Sequence, residues 1–282
     1  MNSMPKLPVA QWVESVTDQA VDVFSGLFNG IRNFSDGIIN GLDSLLSAIP
    51  APIFILIVVV FALWIKRKSK QWGLVIFLCI GLLFVYNQEL WPEFIHTLSL
   101  ILVSSLFAIV LGVPLGILMG KNDVAEAILK PILDFMQTMP AFVYLIPAVA
   151  FFGIGVVPGM VSSIIFALPP TVRFTSLGLR QIPKELGEAA DSFGATGSQK
   201  LFKVELPLAK GTIMAGINQT VMLSLSMVVI ASMIGAPGLG REVVSALQRA
   251  NVGTGFVAGL SIVVLAIAMD RFTQSFRSKE EE

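Results

Sequence analysis

Seven stretches of this chain are apolar with very few charges, near 51–65, 72–86, 93–119, 131–153, 157–177, 210–235 and 253–271. A run of about 17–25 such residues is long enough to cross the hydrocarbon of a bilayer as a helix. A helix also satisfies its own backbone polar groups in lipid. The predicted class is therefore all-α and polytopic. Composition agrees: 55% of the residues are hydrophobic and 13% charged, where a soluble domain carries about a quarter charged. The first two runs are short and need flanking residues or a shallow tilt. Residues 153–159, Gly-Ile-Gly-Val-Val-Pro-Gly, suit a tight turn at the membrane edge between the fourth and fifth runs. Seven spans are expected, with six or eight as alternatives.

Positive charge orients the spans. Suppose the basic run Lys-Arg-Lys-Ser-Lys-Gln at 66–71 faces the cytoplasm. Then Lys6, Arg32, Arg241 and Arg249 fall outside, and every other Lys and Arg falls inside. This predicts a multi-pass protein of the bacterial plasma membrane, with its N-terminus outside and its C-terminus in the cytoplasm.

Ahead of the spans, Trp12, Val16, Ala20, Val23, Leu27, Ile31, Phe34, Ile38, Leu42, Leu45 and Ile49 recur at steps of three and four. Asp18, Asp22, Asp36 and Asp43 are among the polar residues between them. This is an amphipathic helical stripe, expected to break near Gly26, Gly30 or Gly41. Its acidic polar face points to a helix lying on the outer interface; packing on a partner subunit or a neighbouring span is the alternative.

The longest polar block inside the apolar part runs from Glu185 to Pro207. Pro183 suits a first helical turn, and Glu185 and Glu188 suit the positive end of a helix dipole. Gly194 permits a left-handed bend, and Thr196 with Gln199 is spaced as a capping box. Two short helices joined at a glycine are predicted, the second ending before Pro207, lying across the cytoplasmic mouth. The small Ala189 and Ala190 would let another surface approach closely.

Glu188-Ala189-Ala190, Gly194 four positions after Ala190, and then Val-Glu-Leu-Pro at 204–207 resemble the EAA signature of bacterial ABC-importer permeases, with Val204 in place of the usual Ile. Four further segments, 111–120, 134–159, 167–183 and 226–240, are similar to the glycine betaine/proline betaine permeases of the ProW and OpuAB kind. The resemblance implies a type I importer permease (MetI-like) fold and import of quaternary-ammonium osmoprotectants. It also implies three kinds of partner: a second copy of the chain, two cytoplasmic ABC ATPase subunits and an extracellular or lipid-anchored betaine-binding protein. ATP-Mg belongs on the ATPase, and no cofactor or metal is expected on this chain. Glu188, Ala189, Ala190, Gly194, Leu206 and Pro207 are the expected coupling residues. The implied division is an extracellular-side amphipathic extension (1–50), two accessory spans (51–90), a permease core (91–272) holding coupling segment 183–207, and a cytoplasmic tail (273–282).

Other motifs fall away. Gly116 to Lys121 fails the phosphate-loop pattern, because Leu115 and Asn122 stand where it needs other residues. Gly112, Gly116 and Gly120 read as one helix face for close packing. One Cys and one His, Cys79 and His96, make neither a disulfide nor a metal cluster; His96 reads as an interfacial polar residue. Zero formal net charge argues against nucleic acid. Asp134 and Gln137 are expected to begin a span at the cytoplasmic face, kinked at Pro140 and Pro147. With Phe142 and Tyr144, whose rings could face a cation, they are the pathway or gate candidates. Arg173 is expected to snorkel to the cytoplasmic interface, with pairing to a ligand or an acidic neighbour as the alternative. A secondary transporter of small polar solutes is the competing class, but no acidic residue falls at a span centre. An embedded enzyme lacks a nucleophile–base set.

Overall fold

The computed structural model describes residues 7–66 and 72–277. Most of the basic run at 67–71 and the tail end at 278–282 lie outside the described residues. The described chain is helical, with no strand among these residues. Four helices are long and apolar enough to cross a membrane: Trp91–Lys121, Val156–Arg180, the continuous helical run Gly197–Ile234, and one starting at Val252. Two bent pairs bring the number to as many as six.

The amphipathic stripe forms α1 (Val9–Ser47), followed by α2 (Ala51–Lys66) and α3 (Trp72–Asn87). The backbone of α1 leaves helical geometry at Phe24, not at Gly26, Gly30 or Gly41. These three glycines stay helical. A turn of 91° at Ala48–Pro50 lays α1 across α2. The C-terminal half of α1 packs on the bundle through Phe28, Ser35, Ile39, Leu42 and Leu46. Leu27, Ile31, Phe34 and Leu45, on the stripe itself, stay exposed. Ile38 and Leu42 of the stripe also pack there, so the docking face overlaps the C-terminal part of the stripe, and α1 takes the alternative of packing on neighbouring helices.

α4 (Trp91–Lys121) carries acidic Glu93 in its first turn and Lys121 in its last, matching the helix dipole at both ends. Asn122 ends it and caps the next helix, α5 (Asp123–Thr138), accepting from the backbone N–H of Val124 and Ala125 at 2.9 and 3.1 Å. The span expected over 131–153, kinked at Pro140 and Pro147, is broken outright near Pro140 instead. α5 stops at Thr138, Met139 and Pro140 are extended, and a 3₁₀ turn at Ala141–Tyr144 leads into α6 (Leu145–Phe152) after a bend of 111°. Met139 is extended, the conformation that a following proline favours. Pro147 makes no kink; it lies in the first turn of α6, where its missing donor has no role.

α7 (Val156–Arg180) is the central plank of the core, between α4 and α10 (Leu206–Ala231). Glycine makes this contact possible. A Cβ on Gly116 would lie 2.5 Å from Thr175 Cβ and 2.6 Å from the Val172 carbonyl oxygen; one on Gly112 would lie 2.8 Å from Thr171 Cγ2. Gly120 continues the row against Leu179, so the glycine face is close helix packing as expected. On the other side of α7 a Cβ on Gly216 would lie 2.6 Å from Phe174 Cβ. Thr171 and Thr220 hydrogen-bond across that interface at 2.7 Å, and Thr220 also donates to the Ala167 carbonyl at 2.8 Å. Between α7 and α10 come α8 (Lys184–Ser192) and α9 (Gly197–Lys200). After α10, α11 (Leu239–Gln248), which hydropathy and spacing do not announce, precedes α12 (Val252–Arg277).

The helices α2 and α3 pack on the core, burying Ile55, Leu82 and Val85 in its main cluster with Phe94 and Leu265. Phe54 meets Trp91 with ring centroids 5.4 Å apart, Phe61 meets Phe272 at 5.5 Å, and Gly81 lies hard against Val264.

Candidate functional site

The block at 183–207 is an exposed helical hairpin on a clamped base. No residue of α8 is buried, and Glu188 and Ala189 face outward while Ala190 is half-buried. Gly194 takes φ +75°, the left-handed conformation that turns the chain after α8. The capping box is present: Gln199 N–H donates to Thr196 Oγ1 at 3.3 Å, and Thr196 N–H donates to Gln199 Oε1 at 2.9 Å. Lys200 donates to Asp191 at 2.7 Å across the hairpin, and its stem passes Gly187, where a Cβ would lie 3.1 Å from Lys200 Cε. At the tip, Phe193 is 92% exposed and Leu186 42%. A bare aromatic ring beside a small-residue helix suits docking by another protein.

The second short helix does not end before Pro207. From Leu201 to Glu205 the chain makes a π turn, closed by Leu206 N–H donating to the Leu201 carbonyl, and it continues directly into α10. Pro207 falls in the first turn of α10. Proline cannot donate to the carbonyl four residues back and its ring crowds that carbonyl; the wider turn absorbs both effects. Leu206 is half-buried against Leu179, Ala209 and Ile213, while Pro207 is exposed.

Charged side chains hold the base. Arg180, at the end of α7, lies 2.9 Å from both Asp123 and Glu126 of α5 and donates to the Met119 carbonyl at 3.0 Å. Lys121 pairs with the buried Glu205 of the π turn. Residue-by-residue reading does not single out Arg180, Lys121 or Glu205. Their partners are far away in sequence, and only the unusual Glu inside Val-Glu-Leu-Pro hints at a buried charge.

The pathway candidates separate. Asp134 and Gln137 lie late in α5 rather than at the start of a span, and both are exposed. Asp134 pairs with Arg173 of α7, so Arg173 takes an acidic neighbour instead of snorkelling. Tyr144 is buried: its hydroxyl donates to the Met136 carbonyl, and its ring meets Phe166 at 5.8 Å. Pro140 begins the 3₁₀ turn, and Phe142 is exposed on it. Asp134 and Tyr144 therefore pin the broken segment to α7 from both sides of its break. On the opposite end of the bundle His96 Nδ1 lies 2.8 Å from Asp43 Oδ1, joining α4 to α1. Among the described residues no group of three or more His, Cys, Asp or Glu could hold a metal.

Residues 112–280 match the family model described as binding-protein-dependent transport system inner membrane component. The glycine betaine/carnitine transport permease protein GbuB of Listeria monocytogenes is 56% identical over 99% of both chains. The glycine betaine transport system permease protein OpuAB of Bacillus subtilis is 47% identical over 100% of this chain and 98% of its own length. ProW of Escherichia coli, a glycine betaine/proline betaine transport system permease protein, is 48% identical over 95% of this chain and 75% of its own. An inward-facing structure of the MetNI methionine ABC transporter superposes with a TM-score of 0.60 at 24% identity, covering 67% of this chain and 94% of that one, and so shares the fold. A multi-pass helical core with a clamped, exposed EAA hairpin, and full-length similarity to these permeases, place the chain in a family: it belongs to the binding-protein-dependent transport system inner membrane components, among the ABC-importer permease subunits that include OpuAB and ProW.

Proposed function

We propose that this chain is the translocation subunit of an ATP-driven importer of glycine betaine and related quaternary-ammonium osmoprotectants. Two copies would form the path, two cytoplasmic ATPase subunits would drive it, and an external betaine-binding protein would deliver the substrate. The observation that carries the coupling role is the exposure of Phe193 and Ala189 on a hairpin whose base is clamped by Lys121, Arg180 and Glu205. Glu188, Ala189, Ala190 and Gly194 form the proposed seat for the ATPase, and Leu206 and Pro207 join it to the span. ATP-Mg is then held by the ATPase, not by this chain.

The proposed topology has seven crossings, the N-terminus outside and the C-terminus inside. Support comes from the ends of α7: Asp123 is tied to Arg180 at one end, and Gly155 N–H meets the Ile234 carbonyl at the other. Residues 123–155 therefore run the length of α7 and count as one bent crossing. The exposed apolar stripe of α1 rests on the outer leaflet in this arrangement. The gate is assigned to the broken segment, with Asp134, Gln137, Pro140 and Phe142 at its surface and Tyr144 and Pro147 holding it.

The test is uptake of labelled glycine betaine and choline into vesicles bearing the reconstituted complex, with and without the binding protein. ATP- and binding-protein-dependent accumulation of betaine is expected. Accumulation driven by an ion gradient without ATP would favour a secondary transporter instead.

A further inference from the structure

Between the accessory hairpin and the core lies a slot of about 350 Å³, bounded by α2, α3, α4 and α12. Val58, Leu74, Leu98, Leu265 and Ala268 are among its walls, and among the described residues Arg271 is the one polar side chain lining it. The ring contacts Phe54–Trp91 and Phe61–Phe272 mark its two ends. Phe54 and Phe61 are two turns apart, so the slot is about 10 Å long. This apolar space accommodates a single hydrocarbon chain.

The chemistry at one end narrows the occupant. A shallow recess lined by Gly73, Leu74, Phe77, Ile267 and Arg271 opens there. A Cβ on Gly73 would meet nothing within 4 Å, so the recess is open above it. Arg271 is only loosely matched: its Nε is 4.0 Å from Asp270 Oδ2, and its Nη1 donates to Gln274 at 3.3 Å. The Asp270 carboxylate is otherwise taken by Asn218 at 3.2 Å and Gln274 at 2.7 Å. α2 and α3 have 16 residues each, about 24 Å of helix against about 30 Å of hydrocarbon. Such a short hairpin draws the headgroup layer inward, to the level of Gly73 and Arg271.

We infer that this slot is a phospholipid site: one acyl chain fills the space between hairpin and core, and the phosphodiester is held by Arg271. Placing the lipid in the inner leaflet rests on the topology proposed above; the slot and its phosphate contact do not.

The experiment is native mass spectrometry of the full-length permease, purified with its co-expressed subunits and exchanged into phosphatidylglycerol and diacylglycerol of matched chains. Wild type should retain phosphatidylglycerol over diacylglycerol by about tenfold, the scale of one charge-assisted contact. Arg271→Gln should bring that ratio close to one. Ala268→Phe, which fills the slot, should lose both lipids. Leu74→Phe fills the slot from the opposite wall and decides the matter if Ala268→Phe does not assemble. Wild-type lipid retention in an assembled slot-filling variant, or an unchanged ratio in Arg271→Gln, overturns the inference. So does a wild-type permease that retains neither lipid. A transport reading that fails in vesicles leaves these outcomes unaffected.

Discussion

A methyl group on Gly116 would fall on Thr175 Cβ and on a backbone carbonyl, neither of which can swing away. Gly116→Ala should therefore push α4 off α7 and cost about 1–3 kcal/mol, read as a lower Tm of the purified permease. Gly37→Ala on α1, where nothing lies within 4 Å, should be neutral or stabilising by up to about 1 kcal/mol, the helix propensity of alanine over glycine. The glycine row is legible because spacing of four residues on an apolar helix has one common use. Arg173 is not. Its partner Asp134 lies 39 residues away on a helix whose break is hidden by the apolar continuity around it, and a long-range ion pair leaves no mark on local periodicity.

The hairpin of α8 and α9 carries the next prediction. Proline fixes φ near −65°, and Gly194 has φ +75°, so Gly194→Pro cannot make the bend. Ala189→Trp leaves the bend alone and overfills whatever seat receives α8. Both variants should insert and dimerise yet lose ATPase co-purification and binding-protein-stimulated ATP hydrolysis by about tenfold or more, the scale of an overpacked contact. Wild-type levels of both in either variant would remove the coupling role from 183–207. The capping box and the glycine bend can be read in advance because each rests on residues within three positions of one another. The π turn cannot: it answers a proline by adding a residue to a turn, and Leu201–Glu205 carries no composition peculiar to that geometry. The bend at Met139–Pro140 shows in the sequence only as a kink, since apolar continuity over 131–153 outweighs one proline.

Across the whole molecule, charge asymmetry gives the most direct check. Reporter fusions after residues 125 and 195 should read cytoplasmic, and one near 88 should read external. An external reading at 195 would put the hairpin out of reach of any ATPase that uses cytoplasmic ATP. Class and core order are visible in the sequence because lipid allows so few solutions to the backbone. The regions around α1 and α11 are less visible. α11 is amphipathic and short, and α1 packs Ile38 and Leu42 of its stripe on the core while Leu27, Ile31, Phe34 and Leu45 stay exposed, so burial there follows neighbours rather than pattern. The π turn has one more consequence. A turn holding one residue more than an α turn advances the chain by about 100° of azimuth. Where α8 stands around the axis of α10 is thus set by the number of residues between Lys200 and Pro207 as much as by which residues they are. A relative with the same EAA letters and a regular helix at this place would present them to a different compass point.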